Sequence, residues 1–296
     1  MILRIIHRSA AHLECVLDIR VWDELSWQKP YLSGIFTGFR PVKSLVFNVI
    51  SKTDPERPFE MSNRFYSDKE IEVGISLDLS DSESHHLIHV MRAKTGDNVT
   101  LFNNSGNEFS ATLAGMTKKI VTVDVLDKHE VNRELDFDLL IAAPLPKSDR
   151  QKFLIEKLTE VGVTEFIPMN TSRTSVASNP KVLEKLRRLV IESSKQCGRN
   201  RLMKISSARS FLELCRVEDE SNRSQDFERL IAIPTADQNK NISSNVNKII
   251  MIGPEGGFTN EEVALAKGAN WHPINLGKSI LRMETAALAA AVLFRK

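Results

Sequence analysis

Cysteine is scarce in this chain: Cys15, Cys197 and Cys215 are the three in 296 residues. So few, so widely spaced, cannot build a disulfide framework or a zinc knuckle, and a reducing, cytoplasmic compartment is expected. Long apolar runs are also missing, and none approaches the roughly 20 residues that a membrane-spanning helix needs. Net charge is almost absent, with 40 basic against 38 acidic side chains giving +2. Taken whole, that balance argues against a nucleic-acid partner. What is present is ordinary: 42% hydrophobic and 26% charged residues. Such a composition excludes wholesale disorder or a fibrous repeat and leaves room for one or two domains with real cores.

The charge is not evenly spread. Residues 1–60 carry +1, residues 61–130 carry −4, residues 131–210 carry +6 and residues 211–296 carry −1. Most of the excess lies in residues 181–209, where nine basic residues face two acidic ones. A local basic patch of that kind suits phosphates, although a solvated helix face gives the same pattern.

Residues 1–60 read differently from the rest, with little periodicity and two of the three tryptophans, Trp22 and Trp27. Arg4 and Arg8 among apolar residues faintly suggest a targeting peptide, but Glu14, Asp18, Asp23 and Glu24 are wrong for one. The expectation is an extension of unknown role, or an over-long reading frame whose start is Met61. From there the pattern becomes regular. Alternation predicts strands at 71–75, 99–102, 108–113 and 120–125, with a short helix over 84–92, the make-up of a small β-barrel over 61–130. A charged, non-periodic linker follows, and strands then alternate with helices from 135 to 296, as in an α/β domain. Ser148 with Gln151 and Thr259 with Glu262 read as helix-starting capping pairs, and Asn179-Pro180 as another helix start.

Two loops carry the chemistry. Ile-Gly-Pro-Glu-Gly-Gly-Phe-Thr, residues 252–259, follows a buried strand and opens a helix, the place where α/β sheets bind ligands. It lacks the spacing of a dinucleotide fingerprint and the Gly-Lys-Ser/Thr of a P-loop. It reads either as a rigid cradle for a flat ligand or as a tight strand–helix turn. Leu-Gly-Lys-Ser-Ile-Leu-Arg-Met-Glu-Thr, residues 276–285, follows the next strand. Arg282 and Glu284 there fit a surface ion pair beside a helix cap as well as they fit a site. Two such loops after consecutive strands converge on one sheet edge, which favours a site. His85, His86 and His89 lie within one helical turn but have no third ligand nearby, so packing rather than metal binding is expected. Nothing marks Cys197 as a nucleophile.

With these motifs the chain resembles the ribosomal RNA small-subunit methyltransferase E family. Matches also lie in Lys147 to Gly162, which opens with Lys-Ser-Asp-Arg and closes with Glu-Lys-Leu-Thr-Glu-Val-Gly, in the loop of Arg173, in Gln-Cys-Gly-Arg-Asn-Arg at 196–201 and in residues 86–92. The resemblance covers 61–296, and Lys195 departs from it where many relatives carry glutamate. It implies a PUA-like β-barrel followed by a SPOUT α/β domain with a C-terminal trefoil knot, acting as a homodimer on 16S ribosomal RNA. The implied reaction is methylation of a uridine N3 by S-adenosylmethionine. Donor binding is then expected on Ile233, Pro234, Thr235, Gly253, Glu255, Gly256, Gly257, Leu276, Gly277, Ile280, Leu281 and Arg282. Arg282 is the candidate cation beside the uridine, Glu284 the candidate proton acceptor or a support for Arg282, and Arg173 a further candidate for the base or its phosphate. RNA contacts are expected from Arg64, Arg92, Lys94, Arg187, Arg188, Arg199 and Arg201. Two alternatives stay open: another SPOUT reaction such as ribose 2′-O methylation, and a non-catalytic assembly factor.

Overall fold

The computed structural model describes residues 63–176, 178–216, 227–234, 236 and 243–295. The extension expected over residues 1–60 lies outside the described residues. Strands β1 (Arg64–Tyr66), β2 (Ser76–Asp78), β3 (Asn98–Phe102), β4 (Asn107–Met116) and β5 (Val121–Glu130) form one sheet in the order β1-β3-β4-β5-β2. Pairing is antiparallel except between β1 and β3. Alternate residues point inward, so Phe109, Ala111 and Leu113 of β4 meet Val121, Val123 and Val125 of β5 in one apolar core. Register shifts at Ser110/Ala111 and Leu113/Gly115 increase the local twist of this pair. The helix α1 (Asp81–His85) starts at Ser80, whose side chain accepts from the Glu83 amide. It runs on as a π-helical stretch, His86–Met91, and buries Leu87 in the same core.

The strand expected at 71–75 does not form. Gly74 takes φ +88°, which turns the chain out of the extended region. Val73 is left 52% exposed while Ile71 is buried, and the strand begins only at Ser76. Three apolar residues spaced by two were a coincidence of composition around a turn.

The second sheet is parallel. After β6 (Leu139–Ala143) come α2 (Ser148–Glu160), β7 (Glu165–Asn170), α3 (Pro180–Cys197), β8 (Lys204–Ile205), β9 (Arg209–Ser210), α4 (Phe211–Arg216) and β10 (Glu228–Ala232). Then follow β11 (Lys248–Met251), α5 (Asn260–Gly268), β12 (His272–Ile274) and α6 (Met283–Phe294). The order across the sheet is β12-β10-β11-β6-β7-β8, with β9 also on β7. Period-two alternation sorts its residues between two apolar layers. Ile141, Phe166, Leu230 and Ile250 pack with Leu154, Leu158, Leu186, Val190 and Ala287 of α2, α3 and α6. Ala142, Ile167, Ile231 and Met251 pack with Phe211, Leu214 and Ala266 of α4 and α5. Both faces are covered, which is why these strands read as near-continuous apolar runs. Asn179 caps α3, with Pro180 in its first turn, and Gly198 ends it at φ +82°. Thr259 and Glu262 form a full capping box on α5. The expected Ser148 cap is corrected: Lys147 precedes α2 without a side-chain cap, and Gln151 is buried, donating to the Pro146 carbonyl.

Charged residues join the two domains. Lys195 on α3 reaches Glu83 of α1 at 2.8 and 3.0 Å, with both side chains nearly fully buried. Arg64 of β1 pairs with Glu108 of β4 and donates to Asn200 Oδ1 at 2.6 Å. Arg133, in the stretch expected to be a linker, bridges Glu108 and the Gly198 carbonyl at 3.0 Å. Burial pushes the Glu108 carboxyl up, but hydrogen bonds from Arg133 and Arg64 outweigh it and leave its pKa below the usual carboxylate value. Among the described residues no helix is long and apolar enough to cross a membrane.

Candidate active site

Because the second sheet is parallel, the loops after its strands leave one edge together, at the point where strand order reverses between β6, β11 and β10. The loop after β11 begins with Ile252 and Pro254, both buried, while Glu255 and Gly256 are exposed. Gly257 N–H donates to the Pro254 carbonyl at 2.8 Å, closing a tight turn. A Cβ at Gly253 would stand 3.2 Å from the Phe258 ring, and one at Gly256 3.2 Å from Arg173 Cδ. The Arg173 guanidinium donates to the Gly256 carbonyl at 2.5 Å. Next to it, Ser172 donates through N–H and Oγ to the Glu262 carboxylate at 2.8 and 3.0 Å. The loop after β7 is thereby fastened to the start of α5.

The loops after β10 and β12 are fastened in the same way. Asn275 Nδ2 donates to the carbonyls of Pro234 and Ala236 at 3.2 and 2.8 Å, while its Oδ1 accepts from Gly277 N–H at 2.8 Å. Ile233 N–H donates to Ile274 O at 2.9 Å. Leu276 packs against the core, and Ile280 is 89% exposed. Leu281 is half-buried, and Arg282 is exposed at the residue preceding α6. Thr235 lies outside the described residues.

Glu284 differs from the expectation that it supports Arg282. It is buried, and both its oxygens accept from Arg150 Nη1, at 3.0 and 3.1 Å. The second terminal nitrogen of that guanidinium, Nη2, donates to Glu255 Oε1 at 3.0 Å. Arg150 was visible in the sequence only as the last residue of Lys-Ser-Asp-Arg at a helix start. Its hydrogen bond to Glu284, and then that to Glu255, raise its pKa further above the ordinary arginine value.

Two of the expected RNA-binding residues need correction. Arg64 is 4% exposed and holds Glu108, Asn200 and Gly198. Arg199 is equally buried, pairing with Glu134 at 2.6 Å and donating to the carbonyls of Thr159 and Val163. Both guanidiniums are committed to the protein interior and present nothing to a phosphate. Arg92, Lys94, Arg187, Arg188 and Arg201 are exposed. Arg187 also donates to the Ile205 carbonyl at 3.2 Å, and Arg188 approaches Glu184 at 3.4 Å. Lys195, the departure from the resemblance, faces the barrel rather than this edge. Burial pushes the Cys197 thiol up, and that of Cys215 up to about 11, so neither is a ready nucleophile. Among the described residues no three His, Cys, Asp or Glu side chains are grouped to hold a metal ion.

Comparison with known proteins bears on both domains. A family model described as an RNA methyltransferase domain matches residues 133–295, and one described as an RNA methyltransferase PUA domain matches residues 79–126. The Ribosomal RNA small subunit methyltransferase E of Bacillus subtilis is 31% identical over 237 residues, spanning 75% of this chain and 90% of that protein. The Synechocystis protein of the same name is 26% identical over 274 residues, spanning 89% of this chain and 88% of its own. Among solved structures, a Ribosomal RNA small subunit methyltransferase E from Neisseria gonorrhoeae bound to S-adenosyl methionine superposes with a TM-score of 0.72 at 29% identity. A putative methyltransferase from Legionella pneumophila, in complex with the same cofactor, gives 0.72 at 30%. Each comparison covers 78% of this chain and 95% of the other.

Proposed function

The chain belongs to the RNA methyltransferase family of these relatives, and on that premise we propose that it methylates N3 of a uridine in 16S ribosomal RNA, using S-adenosylmethionine. The observation that carries this reading is the convergence of the loops after β7, β10, β11 and β12 on one sheet edge. The residues there fit the donor. At Gly257 and Gly277 a Cβ would meet nothing within 4 Å, so a ligand can approach the main chain closely. Exposed Ile280 and half-buried Ile233 and Leu281 offer apolar surface beside it. Gly253, Glu255, Gly256, Leu276, Pro234, Thr235 and Arg282 complete the proposed donor site.

When bound, S-adenosylmethionine supplies a sulfonium-activated methyl group. The chain must orient the base and ease the loss of its proton. N3 of a neutral uridine is a poor nucleophile while protonated, and a guanidinium near O2 or O4 favours the anion, with the proton passing to solvent. Arg282 is assigned that cation. Glu284, expected as the proton acceptor, is assigned a positioning part instead, since its carboxylate is buried against Arg150. Arg173 is kept as the contact to the base or its phosphate. N3 lies on the Watson–Crick edge, so the target base enters unpaired or flipped out. Arg92, Lys94, Arg187, Arg188 and Arg201 are proposed to hold the RNA backbone. The reading takes from the resemblance a homodimer, a C-terminal trefoil knot and the domain limits 61–130 and 135–296.

The test is to incubate the purified full chain with labelled donor and small-subunit RNA lacking the modification, then identify the nucleoside by mass spectrometry. 3-Methyluridine is expected; a ribose-methylated nucleoside, or no transfer, overturns the reading. In Arg282→Ala turnover is expected to fall about 100-fold or more, the scale of a lost proton-transfer aid, with the unfolding midpoint unchanged. Near-normal turnover removes Arg282 from its role.

A further inference from the structure

The sequence offered no role for Arg150 beyond its place in Lys-Ser-Asp-Arg, yet a carboxylate from each signature loop bonds to it. We propose that Arg150 is a positioning residue, which fixes the loop after β11 against the start of α6 and so shapes the donor pocket. The proposal rests on the methyltransferase reading above for what the pocket holds, but not for the tie itself.

The backbone of Arg150 is anchored in the first turn of α2, where its N–H donates to the Lys147 carbonyl at 2.9 Å. From that base the planar fork reaches partners 134 and 105 residues away, Glu284 through Nη1 and Glu255 through Nη2. The arms are unequal. The Glu284 side chain is 6% exposed and that of Glu255 49%, so one arm is sealed and the other open to solvent. A carboxylate as buried as Glu284 is costly without a cation, which makes the inner arm the fixed one. The outer arm then holds Glu255, which sits between Pro254 and Gly256 in the donor loop. Two residues before Glu284 stands Arg282, so the same guanidinium sets where the proposed cation begins. Lysine cannot replace it, because a single ammonium lacks the two-nitrogen fork that serves both carboxylates at fixed angles.

Hydrogen exchange and donor titration test this on the full chain. Without donor, Arg150→Gln is expected to raise amide exchange in residues 253–258 and 280–286 together, while distant strands keep their protection. Calorimetry is expected to give a donor Kd at least tenfold weaker, about 1.4 kcal/mol. Arg150→Lys should restore the unfolding midpoint but not the affinity. Adding Glu255→Gln to Arg150→Gln should change loop exchange no further, because the tie is already gone. If the buried Glu284 charge prevents Arg150→Gln from folding, Arg150→Gln with Glu284→Gln removes that charge and carries the same expectation. Unchanged loop protection in a folded variant overturns the proposal. Exchange is read without donor, so it judges Arg150 by itself; a wild-type chain that binds no donor overturns the methyltransferase reading instead.

Discussion

Gly277 adopts φ +124°, a conformation that side chains with a Cβ rarely take, and its N–H is held by Asn275 Oδ1. A Cβ there would clash with nothing, so the cost of substitution is backbone strain alone. Gly277→Ala is therefore expected to destabilise the chain by about 1–3 kcal/mol, read from the midpoint of urea unfolding, and to weaken donor binding if the loop relaxes instead. An unchanged midpoint with unchanged affinity contradicts it. The resemblance placed this residue in the donor loop. It gave Arg150 no role. Its partners lie 105 and 134 residues away, beyond any periodicity or cap. The available signal was indirect: glutamates in both signature loops, and an arginine opening a helix beside the first strand of the same domain. Proximity alone favoured pairing Glu284 with Arg282, but the buried carboxylate bonds Arg150 while Arg282 stays exposed.

Helix α5 shows how an element acquires a second task. Thr259 and Glu262 are a capping box, as their spacing predicts, and the Glu262 carboxylate accepts from Thr259 N–H at 2.8 Å. The same carboxylate accepts from Ser172 N–H and Oγ, so the helix cap also anchors the loop that carries Arg173. Glu262→Ala would strand these donors where Glu262 itself is 5% exposed. A loss of about 2–3 kcal/mol is expected, the scale of one or two unsatisfied polar groups, with faster amide exchange at 171–174. If only α5 frays and the Ser172 loop keeps its protection, the coupling is wrong. Elements with strong local signals, such as α3 with its start at Asn179-Pro180, were legible in the sequence. The misreadings had local causes: Gly74 turned an alternating stretch out of its strand, and Gln151 turned inward to Pro146 rather than serving a capping pair.

On the scale of the molecule, the uneven charge acquires a meaning that the linear sequence left half open. The −4 barrel looked an awkward partner for RNA, and the basic block at 181–209 looked like a phosphate patch. Part of each serves the other. Lys195 crosses to Glu83 of the barrel, and Asn200, inside the same block, receives Arg64 from it. Arg199 turns inward to Glu134. Fewer arginines of the block are exposed than the count suggested, and two acidic residues of the barrel, Glu83 and Glu108, are engaged in holding the domains together. Lys195, where the sequence departs from the resemblance, faces Glu83, so its charge answers the barrel. Breaking the pair tests that account. Glu83→Gln leaves the buried Lys195 ammonium with only the solvent-exposed Glu192 carboxylate at 3.4 Å, and a loss of about 3 kcal/mol is expected, the lower end for a broken buried pair, read from urea unfolding. Exchanging the pair, Glu83→Lys with Lys195→Glu, should recover most of it, whereas Lys195→Glu alone sets two carboxylates together and should be the worst of the three. Donor affinity should hold in every variant that folds, because neither residue touches the β11 or β12 loops. A donor affinity that falls in step with stability would mean that the two domains share one cooperative unit with the pocket, and that Lys195 reaches the site through it.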